Sequence, residues 1–151
     1  MDPEFEKTYR SYYPKLFRIA VKMLKTTEDA KDVVQDVFAA YYFAMSNEKA
    51  IRDTKNWLIR STINKGIDYK RKTARIVTME SPLPDTNENP HDEASDILNA
   101  IDHLNENEQT LVVLYSEGYS YKEIAVITGR NCHSIGKTLS RILDKIKKHV
   151  L

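Results

Sequence analysis

The chain has 151 residues, of which 41% are hydrophobic, so it is long enough for one ordinary domain or two small domains with packed cores. Its longest apolar run, Val37 to Met45, has nine residues, fewer than the roughly 20 that a membrane-spanning helix needs, and no basic-then-apolar secretory leader opens it. The single cysteine, Cys132, excludes an intramolecular disulfide framework and is typical of a protein in a reducing cytoplasm.

The net charge of +1 conceals an uneven distribution. Residues 58–76 contain six Lys and Arg against one acid, residues 80–108 contain nine acids and neither Lys nor Arg, and residues 129–151 again contain six Lys and Arg against one acid. Local patches, rather than the total charge, set the field that a phosphate backbone meets. Such blocks also arise on ordinary solvated faces, so charge alone does not decide between the two interpretations.

Helix-favouring residues dominate, and no alternating strand-like run stands out, so we predict an all-α fold of two small helical domains. A three-helix domain is expected over residues 1–76, with helices from Phe5 to Leu24, from a cap at Thr27 to about Met45, and from about Asp53 to Lys72. Their apolar faces contain Tyr9, Tyr13, Leu16, Phe17, Ala20, Leu24, Val33, Val34, Val37, Phe38, Tyr41, Tyr42, Trp57, Leu58, Ile63 and Ile67.

Residues 77–92 contain three prolines among polar residues and predict a semi-extended linker. A four-helix domain is expected over residues 93–151. Its first two helices are predicted from about Glu93 to Leu104 and from about Glu106 to Ser116.

The last two helices form the most informative motif. Ser120 and Glu123 have the spacing of a capping box, which starts a helix at Tyr121. Gly129 stands where a chain leaving a helix needs a left-handed residue, and Asn131 is a good cap for the next helix. That helix has an apolar stripe with cations largely beside it; the stripe comprises Ile135, Leu139, Ile142, Leu143, Ile146 and Val150. Two short helices around a tight turn are typical of a helix-turn-helix, whose second helix enters the DNA major groove.

No catalytic or metal-binding constellation is found in the sequence, so neither an enzyme activity nor a cofactor is expected. Four scattered histidines show no metal-ligand spacing with each other or with Cys132, and no phosphate-binding glycine loop is present. Cys132 has two interpretations, a small filler in the turn or a thiol activated by a helix N-terminus.

Three stretches together resemble bacterial RNA polymerase sigma factors of the extracytoplasmic-function (ECF) group. Thr27 to Phe38 is similar to the family's acidic "DAEDVVQEVF" signature, Asn56 to Lys72 to its "WLYRIARNLAIDYLRK" stretch, and Gly118 to Lys148 to its C-terminal helix-turn-helix. The resemblance implies that an acidic helix docks on a basic coiled coil of the polymerase large subunit through Asp29, Asp32, Gln35 and Asp36. For Asp29, offsetting the helix dipole is a rival role.

The resemblance further implies that the third helix handles the minus-ten promoter element. The residues expected to contact DNA there are Trp57, Arg60, Asn64, Lys65, Lys70, Arg71, Lys72 and Arg75. Cations neutralise phosphate and Asn64 offers donor and acceptor groups to a base edge. Trp57 suits either base stacking or the core, and Asp68 is expected to pair with Arg71 or Lys72 along the helix.

By the same resemblance the helix-turn-helix reads the minus-thirty-five element. The residues expected to face DNA are Lys122, Arg130, Asn131, His133, Ser134, Lys137, Thr138, Arg141 and Lys145. The chain departs from the family at Gly136, which follows Ile135 where a cation is usual, and at Arg130, which replaces an apolar turn residue. A glycine inside a helix costs about 1 kcal/mol relative to alanine, and a close approach of DNA or a partner is one reason to keep it.

The resemblance implies core RNA polymerase and promoter DNA as partners, an anti-sigma protein as the usual third partner, a cytoplasmic, nucleoid-associated location, no small-molecule substrate and no membrane insertion. Two other functions stay open. A stand-alone helix-turn-helix regulator has no use for the acidic helix, and a protein-binding adaptor has no need of salt-sensitive DNA binding.

Overall fold

The computed structural model describes residues 2–47, 51–79 and 100–150, and the regular secondary structure within these ranges is entirely α-helical. The chain divides into two compact units, Met1–Lys70 and Arg71–Leu151, with the division inside the third helix. The all-α prediction is confirmed for this part of the chain.

The first helix, α1, spans Pro3–Leu24 and begins two residues earlier than predicted. Asp2 caps it by accepting a hydrogen bond from the Glu4 amide at 2.9 Å, and Pro3 occupies the first helical position, where its missing N–H costs nothing. The helix ends at Lys25, whose backbone is left-handed with φ 74°. An L-residue with a side chain seldom adopts this conformation, so Lys25 marks a strained reversal of the chain.

The second helix, α2, spans Thr27–Ser46, and its cap is Thr26 rather than the predicted Thr27. After the reversal at Lys25, Thr26 is the residue with extended backbone, φ −113° and ψ 144°, and its hydroxyl accepts from the Asp29 amide at 3.2 Å. Thr27 is therefore the first helical residue. The prediction was wrong by one position because two adjacent threonines offer equivalent hydroxyls.

The third helix, α3, spans Thr54–Met79 and continues seven residues beyond the predicted end at Lys72. Asp53 caps its start by accepting from the Asn56 amide at 3.1 Å. Residues 73–79 contain neither Gly nor Pro, so nothing in the sequence stops the helix there. The first three residues of the predicted linker are thus helical, and its remaining residues lie outside the described ranges.

The core of the first unit lies between α1, α2 and α3. Fully buried side chains come from each helix and include Leu16, Ile19, Val34, Leu58 and Ile59. Thr62 is also buried, and its hydroxyl donates to the Leu58 carbonyl at 2.8 Å. Tyr42 was expected on the apolar face of α2 but is 47% exposed.

Gly66 is buried and faces Met23 of α1. A Cβ built on Gly66 would lie 3.5 Å from the Met23 sulfur, an ordinary van der Waals distance, so this contact has room for a methyl group.

The second unit contains α4 (Glu106–Ser116), α5 (Tyr121–Thr128) and α6 (Cys132–Val150), preceded by helical residues 100–102. The predicted bounds of α4 are confirmed, whereas most of the predicted 93–104 helix lies outside the described residues. The core comprises Leu111, Leu114, Ile124, Ile127, Ile135, Leu139 and Ile142. The buried Gln109 amide donates to the carbonyls of Ile101 and Leu104, which ties the preceding turn to α4. Leu143, expected on the apolar stripe of α6, is 37% exposed.

Candidate nucleic-acid interface

The acidic face of α2 is formed by Asp32, Gln35 and Asp36, all exposed. Their spacing of three and four residues places them on one side of the helix, opposite the buried Val34 and Val37. Three of the four residues predicted for polymerase docking are therefore exposed on this side of α2, and the fourth, Asp29, lies on the same side but is half-buried.

Asp29, the fourth, is engaged within the protein. Its Oδ1 accepts a hydrogen bond from the Tyr69 hydroxyl of α3 at 2.5 Å, a contact between residues 40 positions apart. This hydrogen bond, and a second from the Thr26 hydroxyl, hold the pKa of the Asp29 carboxyl below its ordinary value. Sequence analysis missed Tyr69, because neither periodicity nor spacing links these two positions.

An aromatic groove runs beside the acidic face. It has a volume of about 750 Å³. Its lining comprises Phe5, Glu6, Tyr9, Gln35, Phe38, Ala39 and Tyr42. The Phe5 ring makes edge contact with the rings of Phe38 and Tyr42, at centroid distances of 6.3 and 5.2 Å. Tyr42 is exposed because it lines this groove. The aromatic residues at the start of α1 and the end of α2 were the feature of the sequence that could have predicted the groove.

The basic face of α3 is formed by Arg60, Asn64, Arg71 and Arg75, all exposed. Steps of four, seven and four keep these side chains near one line, and fifteen residues of helix extend about 22 Å. Lys72 is also exposed beside this line, whereas Lys65 and Lys70 are half-buried. An asparagine among arginines along an exposed ridge suits a phosphate backbone with one base-edge contact.

Trp57 lies at the start of this helix and packs against Tyr41 of α2, with ring centroids 5.7 Å apart. It is half-buried and packs within its own unit, while both the core role and base stacking stay predictions. Asp68 is exposed, and the carboxylate that pairs with Arg71 in the described structure is that of Glu106, whose Oε1 accepts from Arg71 Nε at 2.7 Å. Tyr69, the neighbour of Asp68, provides the tie of α3 to α2.

The turn between α5 and α6 has the predicted local geometry. The Ser120 side chain accepts from the Glu123 amide at 3.1 Å, and the Glu123 carboxylate accepts from the Ser120 amide at 3.0 Å, which completes a capping box. Gly129 ends α5 with φ 71°. The Asn131 side chain then accepts from the His133 amide at 3.0 Å and starts α6. These contacts confirm the helix-turn-helix.

The leading end of α6 exposes Asn131, His133, Ser134 and Lys137. The Ser134 hydroxyl donates to the Asn131 carbonyl and the Thr138 hydroxyl to the Ser134 carbonyl, each at 2.8 Å. Because each hydroxyl has one hydrogen, both oxygens are left as acceptors toward an approaching ligand. Such acceptors suit the amino groups of cytosine and adenine in the major groove.

A polar cavity of about 330 Å³ lies between the start of α4 and the side of α6. It is lined by Asn105, Asn107, Glu108, Arg130, Thr138, Arg141 and Lys145. Three cations against one carboxylate leave this cavity positive, and the N-terminus of α4 adds to the positive potential. The participation of Asn105 and Asn107 was missed, because they precede the helix-turn-helix in sequence.

Glu108 is the one carboxylate among these cavity residues, and two contacts hold it. It accepts from Lys145 Nζ at 2.7 Å, and its other oxygen accepts from the Asn105 amide at 3.1 Å. The hydrogen bond from Lys145, with smaller help from the Asn105 amide and the nearby charges, holds the pKa of Glu108 below its ordinary value despite partial burial. Lys145, predicted to face DNA, therefore also anchors α6 to α4.

The structure shows what surrounds Gly136 and Arg130, the two positions at which the chain departs from the family pattern. A Cβ on Gly136 would lie 3.4 Å from Cε2 of the Tyr121 ring, so Gly136 faces α5 of its own unit. Arg130 is half-buried and lines the polar cavity, while Lys122 is exposed on the outer side of α5. Cys132 is half-buried at the first position of α6.

Among the described residues, no group of three or more potential metal ligands is clustered. Within the same ranges, no helix combines the length and the apolar character that crossing a membrane requires.

Comparisons with known proteins agree with this organisation. The family model for Sigma-70 region 2 matches residues 8–76, and the model for Sigma-70 region 4 matches residues 94–146. The chain is 28% identical over 138 residues to RNA polymerase sigma factor SigV of Bacillus subtilis, covering 87% of this chain and 81% of SigV. It is 26% identical over 163 residues to ECF RNA polymerase sigma factor SigE of Mycolicibacterium smegmatis, covering 97% of this chain and 63% of SigE.

Among solved structures, the sigma factor RpoE of Bartonella quintana, determined in complex with the anti-sigma factor NepR, has the same fold. Its TM-score is 0.72 at 20% identity, and the match covers 99% of this chain and 98% of RpoE. The two region models in this order, matching most of the chain, together with ECF relatives along its length, show that the chain belongs to the sigma-70 family of RNA polymerase sigma factors, as a member of its ECF group.

Proposed function

We propose that this chain binds core RNA polymerase, recognises two promoter elements and initiates transcription. The observation that carries the proposal is the succession of an acidic face on α2, a basic face on α3 and a capped helix-turn-helix, inside the two matched regions. A stand-alone regulator needs only the helix-turn-helix. A protein-binding adaptor needs neither the basic face of α3 nor the helix-turn-helix.

The polymerase-docking surface is assigned to Asp32, Gln35 and Asp36. Two carboxylates and an amide on successive turns suit Arg and Lys side chains of a partner helix. The aromatic groove beside Gln35 supplies apolar area next to these charges. An interface with an apolar centre and a charged rim gains affinity from the first and orientation from the second.

The minus-ten element is assigned to the exposed line of Arg60, Asn64, Arg71 and Arg75, with Lys72 beside it. The arginines bind phosphates, and Asn64 meets a base edge once the duplex is open. The half-buried Lys65 and Lys70 are expected to contribute through the field of the patch, with their charges farther from the strand.

The minus-thirty-five element is assigned to α6 and its surroundings. His133, Ser134 and Lys137 lie on the exposed leading end, which in a helix-turn-helix points at base edges. Arg130 and Arg141 in the polar cavity, with Asn105 and Asn107, are assigned to a phosphate of the same element.

The domain limits 1–76, 77–92 and 93–151 are retained as the functional division, with docking and opening in the first and duplex reading in the last. An anti-sigma protein is a proposed regulatory partner, and a cytoplasmic, nucleoid-associated location is the one consistent with binding polymerase. No catalytic role is proposed.

The docking surface is tested by Asp32→Arg with Asp36→Arg. Reversal of two exposed charges should abolish capture of core polymerase while circular dichroism keeps its native helical signal. A control with Asp68→Arg and Asp144→Arg changes the net charge equally at exposed sites elsewhere and should bind normally. Equal loss in both variants points to nonspecific charge, and unchanged capture in the first contradicts the assignment.

A further inference from the structure

One residue of the acidic signature behaves unlike its neighbours. Asp29 shares the sequence pattern of Asp32 and Asp36, yet its carboxylate accepts a hydrogen bond from the Tyr69 hydroxyl at 2.5 Å, and that contact lowers the pKa of the Asp29 carboxyl. Asp32 and Asp36 are exposed, whereas Asp29 is partly covered. A carboxylate already holding two hydroxyl donors has less to offer a partner's cation.

The position of Tyr69 within α3 lets this hydrogen bond affect the orientation of the helix. Tyr69 directly precedes the run of Lys70, Arg71 and Lys72, and it is half-buried, whereas residues 71–76 are all exposed. The hydrogen bond therefore lies where α3 passes from packed helix to exposed basic ridge. A hydrogen bond at that point fixes the rotation of α3 against α2 within the first unit, and with it the direction of the exposed Arg60 and Asn64.

We propose that Asp29 is a positioning residue that, through Tyr69, fixes the rotation of α3 against α2 within the first unit, and with it the direction of Arg60 and Asn64, and that it is not a polymerase contact. The inference rests on the proposed function, because it concerns how docking and promoter opening are held in register. Thr26, Asp29 and Tyr69 then form one chain of contacts from the α2 cap to α3.

Three substitutions separate the two roles of Asp29. Tyr69→Phe removes one hydroxyl and leaves the ring. Asp29→Ala removes both the charge and the acceptor. Asp29→Asn removes the charge but keeps an oxygen that can accept from Tyr69.

The experiment measures core-polymerase affinity, thermal stability and permanganate reactivity of promoter thymines for each full-length variant. Tyr69→Phe and Asp29→Ala should keep wild-type affinity for core and lower the open-to-closed ratio by about threefold to tenfold, the range for one lost hydrogen bond. Asp29→Asn should restore the ratio. The variant with both Tyr69→Phe and Asp29→Ala should be no worse than the worse single substitution.

Other results overturn the inference. Loss of core affinity in Asp29→Asn and Asp29→Ala, with Tyr69→Phe normal, makes Asp29 a charged docking contact. An unchanged open-to-closed ratio in Tyr69→Phe reduces the contact to fold stability alone. Failure of the wild-type chain to bind core polymerase refutes the proposed function itself, and is recognised before any variant is compared.

Discussion

Gly136→Ala is expected to stabilise the second unit, although it alters the helix that is assigned to DNA. Gly136 lies inside α6, where glycine is about 0.8–1.0 kcal/mol less favourable than alanine. The added Cβ would meet Cε2 and Cδ2 of Tyr121 at 3.4 and 3.8 Å, which is ordinary van der Waals contact. We therefore expect a gain of about 1 kcal/mol with no offsetting clash.

The opposite result is expected at Gly118, which serves as the matched control in the same unit. A Cβ there would have no atom within 4 Å, but its backbone has φ +89°. Alanine at such a position is strained whatever the space, so Gly118→Ala should lose about 1 kcal/mol or more. The two substitutions add the same methyl group and differ in backbone conformation and surroundings.

Thermal unfolding followed by far-UV circular dichroism measures both changes in the full chain. A change of 1 kcal/mol corresponds to about 4–8 °C for a domain of this size. Trp57, the sole tryptophan, lies in the first unit, so its fluorescence assigns the transition that moves. Destabilisation by Gly136→Ala would refute the reasoning, because it would mean that Tyr121 cannot accommodate a methyl group.

Three further substitutions test separate contacts. Glu108→Gln keeps an acceptor for the Asn105 amide but loses the ion pair with Lys145. Because the pKa of Glu108 is lowered in the folded chain, the stability that this carboxylate contributes is present above the unfolded pKa near 4.3 and is lost as pH falls through the folded pKa. The wild type should therefore melt at a higher temperature than the variant at pH 7, and the two melting temperatures should converge in acid. Lys25→Gly relieves a left-handed backbone and should raise stability by about 0.5–1 kcal/mol in denaturant titration followed by Trp57, whereas a loss would mean that the Lys25 side chain outweighs the strain. Asn64→Ala should leave closed-complex binding unchanged in filter assays and lower permanganate reactivity; equal loss in both assays makes Asn64 a packing or duplex contact.

Local rules predicted the helix-turn-helix well because each of its boundaries is encoded next to the residue it determines. Ser120 and Glu123 are three positions apart, and the left-handed Gly129 directly follows the helix it ends. The same rules misplaced the end of α3, where no Gly or Pro stops the helix, and chose the wrong one of two adjacent threonines at the start of α2.

Long-range contacts were outside the reach of periodicity. The bond between Asp29 and Tyr69 joins positions 40 residues apart, and the pair of Glu108 and Lys145 joins positions 37 apart. Both depend on which faces of two helices meet, which composition and spacing do not specify. The exposed residues of the acidic and basic faces were predictable, because exposure follows from the helical period once the apolar side is known.

Run-off transcription tests the central claim most directly. Purified core polymerase is combined with genomic promoter fragments alone, with the wild-type chain, and with the Asp32→Arg and Asp36→Arg variant. We predict defined transcripts with the wild-type chain, and none with core alone or with the docking variant. Sequence-specific DNA binding by the free chain at physiological salt, with no transcript on addition of core polymerase, would contradict the account and identify a stand-alone DNA-binding regulator.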